Sequence, residues 1–270
     1  MNIENKTVLI TGANRGIGLA LVNEALRRGV KRVYAGTRGP LQVTNERVTP
    51  LTLDVTSVSQ VQTAAHEIED LDLLINNAGI AIYDDLSDIE VIEKHMAVNF
   101  LGPLRLSQAF LPLLKRSKGS IVNNLSLVGL AALPAIPSYS ISKAAAFNMT
   151  QSLRALLAAD GVTVHSVVLG PIDTDMNRRF DIPKASTESA ALGIFDGLEK
   201  GEEDIFPDPV SQSIAQAWRA GAVKALEQQF KAFVPEHAGG RITIGRRSGT
   251  GEGCSPVIQR STFHVSSGLR

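Results

Sequence analysis

Short, nearly continuous apolar runs of strand length alternate with longer stretches of helical period along most of this chain, and that alternation restricts the fold more than any other feature. Runs at residues 7–10, 32–36, 50–54, 71–76, 120–125, 163–169 and 204–206 are bounded by Gly, Pro, Asn or charged residues and read as seven strands. Stretches at 18–28, 57–69, 89–115, 142–159 and 209–233 carry apolar residues at helical spacing, the third long enough for two helices. Strands that are apolar throughout are expected where helices cover both faces of a sheet. The pattern therefore predicts an α/β architecture: a doubly wound Rossmann fold with a seven-stranded, mostly parallel sheet and helices on both faces.

A chain of 270 residues can be served by one core, and a single domain is expected over residues 1–235. A tail is expected over 236–270: from 238 onward the chain is rich in Gly, Ser and Arg, lacks an amphipathic period, and sets five arginines against the single acid Glu252. It reads as a disordered tail. Lysine plus arginine balance aspartate plus glutamate at 27 each, so charge gives no case for nucleic acid or an anionic membrane as partner. Cys254 is the only cysteine, which rules out an intramolecular disulfide or a multi-cysteine metal cluster. The five histidines stand apart with no ligand spacing, so no metal is expected. With no apolar signal segment at the start and no apolar run of spanning length, a cytoplasmic protein acting on a small molecule is expected.

Thr11-Gly12-Ala13-Asn14-Arg15-Gly16-Ile17-Gly18 follows the first strand and opens the first helix. Glycines there let the backbone turn sharply and approach a pyrophosphate, while the helix start offers unpaired N–H groups and the positive end of its dipole. The spacing T-G-x-x-x-G-x-G resembles the glycine motif of the short-chain dehydrogenase/reductase family. The resemblance recurs in order: Asp54 closing the third strand, Asn76-Asn77-Ala78-Gly79 after the fourth, Asn99 in a long helix, Ser126 after the fifth, Tyr139-Ser140-Ile141-Ser142-Lys143, and Gly170-Pro171-Ile172-Asp173-Thr174 after the sixth. It covers residues 5 to 235 and implies a nicotinamide-dependent oxidoreductase. One departure is the order Leu169-Gly170-Pro171, where the family usually has Pro-Gly.

The place where an acid would hold the NAD ribose reads Gly36-Thr37-Arg38 instead, and arginine there suits the 2′-phosphate of NADP. Arg15 in the glycine turn is a second candidate. The expected cofactor is NADPH/NADP+, with NADH less favoured. By resemblance, Asp54 meets the adenine amino group and Asn77 its ribose. Val55, Ala78, Gly79, Gly170 and Ile172 lie along the cofactor, and Thr174 contacts the nicotinamide end.

Carbonyl reduction needs a proton at oxygen as hydride reaches carbon. A tyrosine, ordinarily near pKa 10, can donate it if an adjacent cation favours the phenolate. Of the three tyrosines only Tyr139 has a lysine four residues on, on the same helical face, so Lys143, with oxidised nicotinamide beside it, is expected to lower its pKa. Ser126 sits just past an apolar run, at the strand end where open α/β sheets place ligands. Its hydroxyl can reach both substrate oxygen and phenol. By resemblance, Asn99 holds a water that links Lys143 to solvent.

These residues predict an NADPH-dependent carbonyl reductase or alcohol dehydrogenase. The alternative, a non-catalytic dinucleotide sensor on the same fold, keeps the glycine turn but has no need of the Ser, Tyr and Lys set. A serine hydrolase would need Gly-x-Ser-x-Gly, whereas Ser126 lies between Leu125 and Leu127. Leu127, Val128, Leu130, Leu133, Pro134, Ile172 and Met176 are expected to wall an apolar pocket for a hydrophobic ketone or aldehyde. The helices around 99–115 and 139–159 resemble the dimer-forming pair of the family, so a homodimer is expected, with a tetramer as the further possibility.

Overall fold

A computed structural model describes residues 1–236 and 243–244. Residues 1–231 form one compact unit. It contains β1 (Thr7–Thr11), α1 (Gly16–Arg27), β2 (Arg32–Thr37), β3 (Val48–Thr52), α2 (Val58–Glu67), β4 (Leu73–Asn76) and α3 (Ile89–Met96). A π-helical turn (Ala97–Leu101) then leads into α4 (Gly102–Ser117), followed by β5 (Ser120–Asn124), α5 (Pro137–Leu157), β6 (Thr163–Val167), α6 (Thr187–Glu199), β7 (Asp204–Ile205), α7 (Pro209–Arg219) and α8 (Ala222–Phe230). The seven strands make one sheet in the order β3-β2-β1-β4-β5-β6-β7, with every pairing parallel. The winding reverses between β1 and β4, which opens a crevice at their C-terminal ends.

Alternate residues of the buried strands feed two cores. Val8, Ile10, Ile75, Val122 and Val167 pack with Leu21 and Val22 of α1 and Ile194, Phe195 and Leu198 of α6. Leu9, Leu74, Ile121 and Val164 pack on the other face with Val61 of α2, Leu106, Phe110 and Leu114 of α4 and Leu157 of α5. Pro50 is tolerated in β3 because that strand is an edge, paired with β2 alone.

The expected strands all occur, with shifted ends. β3 closes at Thr52, so Asp54 stands two residues beyond the strand rather than ending it. The helix expected from 142 begins at Pro137, whose fixed φ suits a first helical position. The stretch 209–233 is two helices, broken at Ala220 and Gly221. α6 was not anticipated, although Ser186 caps it through Ser189 N and Ala190, Ala191, Ile194, Phe195 and Leu198 are buried at helical spacing. Gly193 and Gly197 obscured it. A Cβ on Gly193 would come within 2.6 Å of Pro207 O, and one on Gly197 within 2.6 Å of Ile205 Cγ2, so both allow the helix to lie directly against the β7 region.

The C-terminal part of the unit is fixed by a buried charge cluster. Arg154 of α5 donates to Asp204 (2.9 Å), to Glu227 of α8 and to the carbonyls of Val164 and Glu203 (2.8 and 2.7 Å), while Lys224 reaches Glu203, Asp204 and Glu227 at 2.7–2.9 Å. Removing one member would leave an uncompensated buried charge, which costs about 3–5 kcal/mol. The cluster therefore ties α8 to the helix that carries the expected catalytic residues.

Beyond this unit, Pro235–Glu236 and Thr243–Ile244 pair as a short antiparallel ladder, so the expected tail begins on a strand residue. The rest of that tail lies outside the described residues. Among the described residues no helix is long and apolar enough to cross a membrane.

Candidate active site

The glycine turn sits at the reversal point of the sheet. Gly12 (φ 65°) and Gly16 (φ 53°) adopt left-handed backbone that side chains disfavour. A Cβ on Gly18 would lie 2.0 Å from Gly12 O, and one on Gly12 3.0 Å from Ala78 Cα. The Thr11 hydroxyl accepts from the backbone N–H groups of Asn77 and Ala78, both at 3.0 Å, which binds the turn to the end of β4. The first residue before α1, Arg15, gives that helix no side-chain cap. Its free N–H groups, with a bare glycine surface around them, fit an anionic phosphate bridge.

The loop after β2 lies beside this turn: Ala13 N donates to Gly36 O, and a Cβ on Gly39 would stand 3.6 Å from Asn14 Nδ2. Thr37 Oγ1 ties the loop down through Gly39 N and O at 3.1 and 3.0 Å. Arg15 and Arg38 are thus on adjoining loops, with side chains 72% and 69% exposed and their head groups open to an incoming ligand. Arg15 pairs with Asp175 (3.0 Å), and Arg38 stands 3.9 Å from Asp54. Asp54 accepts from Thr56 N and Oγ1. Ile17 packs on the core, and Val55 is buried against Gly102 with its carbonyl held by Arg105 (2.6 Å).

The three residues expected to do chemistry converge. Ser126 follows β5; its hydroxyl donates to Leu169 O and accepts from Val128 N, both at 3.4 Å, and it is near enough to the Tyr139 phenol to lower the phenol's pKa. Tyr139 and Lys143 are one turn apart on α5, with Lys143 Nζ 5.6 Å from the centre of the tyrosine ring. Gly129 lets the turn after β5 seat on α5, because a Cβ there would meet Lys143 C and O at 3.0 Å. Lys143 is buried and donates to the Asn124 carbonyl at 2.7 Å; burial lowers its pKa to about 8. Burial pushes the Tyr139 phenol up to about 12, the Ser126 hydrogen bond offsetting part of that rise. The expected lowering by Lys143 is thus not achieved by these residues alone: the ammonium faces the ring and the Asn124 carbonyl, and loss of hydration dominates.

Two of the expected site residues are tied into the scaffold. Asn77 donates to Thr11 O (2.9 Å) and accepts from Asn124 Nδ2 (2.8 Å), so both ends of its side chain are anchored beside the glycine turn. Asn99, in the π-helical turn, accepts from Ile80 N and donates to Ile80 O and Ser142 Oγ, each at 2.9 Å. Both of its amide hydrogens are therefore already used, and a water could reach only its acceptors. Gly79 lies between Asn99 and Lys143; its Cβ would be 3.3 Å from Asn99 Oδ1 and 3.7 Å from Lys143 Nζ.

Gly170 explains the displaced proline: its N–H donates to Asp208 Oδ2 (2.8 Å), the cap of α7, and a Cβ would fall 2.4 Å from Asp208 Oδ1. Thr174 abuts the phosphate turn, 3.3 Å from a Cβ on Gly16. Of the expected apolar wall, Leu127 and Leu130 pack toward Leu125, Phe147 and Trp218, and Ile172 belongs to the core beneath α6. Leu133 and Met176 remain exposed at 38% and 40%. Two contacts were not anticipated. Tyr83 stacks on Phe180 (ring centres 5.6 Å apart) with Arg179 over its face, joining the loop after β4 to the segment after Thr174. Asn124 was also missed, because its contacts lie on other strands and helices.

The family model for short chain dehydrogenases matches residues 6–184. Short-chain dehydrogenase ptmH of Penicillium ochrochloron is 38% identical over 64% of this chain and 68% of its own length. A 3-oxoacyl-[acyl-carrier-protein] reductase, FabG of Vibrio harveyi, is 33% identical over 70% of this chain and 83% of its own. A crystal structure of a short chain dehydrogenase from Burkholderia cenocepacia, in complex with NADP, is 40% identical with a TM-score of 0.78 over 85% of this chain and 98% of that one. With more than half of its length matched, and with the sheet order described above, the chain belongs to the short-chain dehydrogenase family of oxidoreductases.

Proposed function

We propose that this protein is an NADPH-dependent carbonyl reductase, or the reverse alcohol dehydrogenase, in which Tyr139 is the general acid and base. The convergence of Ser126, Tyr139 and Lys143 beside an uncapped, glycine-lined helix start carries this reading. Bound reduced nicotinamide supplies the hydride that adds to the carbonyl carbon. The Tyr139 O–H gives its proton to the carbonyl oxygen, the Ser126 hydroxyl holds that oxygen, and the charge left on the phenol is stabilised by the Lys143 ammonium. A phenol pushed up to about 12 is protonated at neutral pH, the state an acid requires.

Arg15 and Arg38 support NADPH over NADH, as does the NADP bound to the Burkholderia relative. The exposed Leu133 and Met176, with the Tyr83–Phe180 pair, support a hydrophobic ketone or aldehyde as substrate. The single Cys254 accords with a cytoplasmic setting. A homodimer through α4 and α5 is part of this reading, supported by the exposed Leu101, Ile141 and Leu156 on or beside those helices. Light scattering is expected to give twice the chain mass; a monomer at micromolar concentration would contradict the dimer.

Tyr139→Phe is expected to keep the fold and NADPH binding while turnover of aryl or alkyl ketones falls roughly 10²- to 10⁴-fold, the range for losing a positioned acid. Near-native turnover by that variant would remove Tyr139 from the mechanism. Faster reduction of sugars than of such ketones would remove the apolar substrate class.

Arg38→Asp combined with Arg15→Ala is expected to move preference from NADPH toward NADH. Each charge-assisted contact to the 2′-phosphate is worth roughly 1.5–3 kcal/mol, about a ten- to hundredfold factor in affinity. The informative quantity is the ratio of kcat/KM for the two cofactors with one ketone at fixed ionic strength. A ratio left unmoved, or a wild type that already prefers NADH, would show that neither arginine reads the phosphate.

A further inference from the structure

The helix that carries Tyr139 and Lys143 starts without a cap of its own: Ile136, at the capping position, offers no acceptor side chain. The missing acceptor comes from elsewhere in the chain. Asp84, in the loop after β4, takes the Ser138 backbone N–H (3.4 Å) on Oδ1 and the Ser138 hydroxyl on Oδ2. Ser138 is fully buried and immediately precedes Tyr139. A carboxylate at this point satisfies first-turn donors and opposes the positive end of the helix dipole.

The loop presenting Asp84 is itself clamped. Asn99 holds Ile80 by both N–H and carbonyl at 2.9 Å. His95 Nε2 accepts from Ile82 N at 3.0 Å, and its Nδ1 bonds Val91 O at 2.8 Å, which fixes the tautomer. The His95 ring lies edge-on to Tyr139, ring centres 6.2 Å apart. On the far side of Asp84, Leu86 has φ 68°, a left-handed conformation a bulky residue keeps only under constraint, and its N–H donates back to Asp84 Oδ2 at 3.4 Å. A strained turn and two clamping side chains, Asn99 and His95, thus serve to place one carboxylate against the first turn of α5.

We propose that Asp84 is a positioning residue for the phenol of Tyr139. It acts by fixing the first turn of α5, so that the phenol is held near Ser126 and in line with the reacting carbonyl. The proposal rests on the reading of Tyr139 as the acid. A misplacement of about 1 Å in such a group can reduce turnover about a hundredfold without touching binding.

The test is a double-mutant cycle on the full chain, read by single-turnover NADPH oxidation with one ketone and by NADPH affinity measured separately. Asp84→Ala is expected to lower the rate about 10- to 100-fold while NADPH affinity changes less than about twofold. Asp84→Asn, which keeps an acceptor, is expected to recover most of the rate. In a Tyr139→Phe background, Asp84→Ala should cost nothing further, because the group it positions is gone. Should Asp84→Ala fail to fold, Ser138→Ala, which removes only the hydroxyl end of the contact, reads the same cycle. An equal loss in both backgrounds, or a loss confined to NADPH affinity, would overturn the role of Asp84 while leaving the acid in place. A Tyr139→Phe protein with near-native rate would instead overturn the acid assignment itself.

Discussion

Everything at the site depends on how closely the backbone after β1 approaches its neighbours. Gly18 lies on the Gly12 carbonyl, Gly12 lies on Ala78, and the Thr11 hydroxyl gathers the N–H groups of Asn77 and Ala78. These contacts leave no room for a Cβ at Gly18, and they fix the start of α1, which has no side-chain cap. The same knot extends sideways. Asn77 passes it to Asn124 at the end of β5, and Asn124 offers its carbonyl to Lys143 on α5. The glycine turn and Lys143 are therefore two ends of one hydrogen-bonded chain across β1, β4, β5 and α5.

Burial then sets the chemistry. Lys143 and Tyr139 are moved in opposite senses by loss of hydration, the ammonium down to about 8 and the phenol up to about 12. Both shifts favour neutral forms, so any charge that appears on the phenol must be matched locally. Lys143 is the available cation, its Nζ 5.6 Å from the Tyr139 ring centre. This differs from a tyrosine lowered in advance by its neighbour: the pair holds a proton firmly until a reaction makes the resulting anion worth stabilising.

The sequence made the strands, the glycine turn and the Ser126, Tyr139 and Lys143 set legible because each carries a local signature: an apolar run, a left-handed glycine or a fixed spacing. It did not reveal α6, where Gly193 and Gly197 weaken the helical pattern for the sake of contact with Pro207 and Ile205. Nor did it reveal that Asn77 is anchored to the scaffold, since its partners Thr11 and Asn124 lie 66 and 47 residues away. Asp84 is invisible for the same reason, 54 residues from the helix it caps. Signals that depend on one element survive in sequence; those that depend on which elements meet do not.

The central claim is that Tyr139 donates its proton only while Lys143 is charged. The most direct measurement is the pH profile of kcat/KM for ketone reduction by NADPH. Lys143 is protonated below its pKa of about 8 and neutral above it, and the phenol at about 12 does not titrate in the accessible range. Reduction should therefore be level below about pH 7.5 and fall about tenfold per pH unit above 8. A profile that stays flat to pH 10, or that rises through 8, would contradict the account.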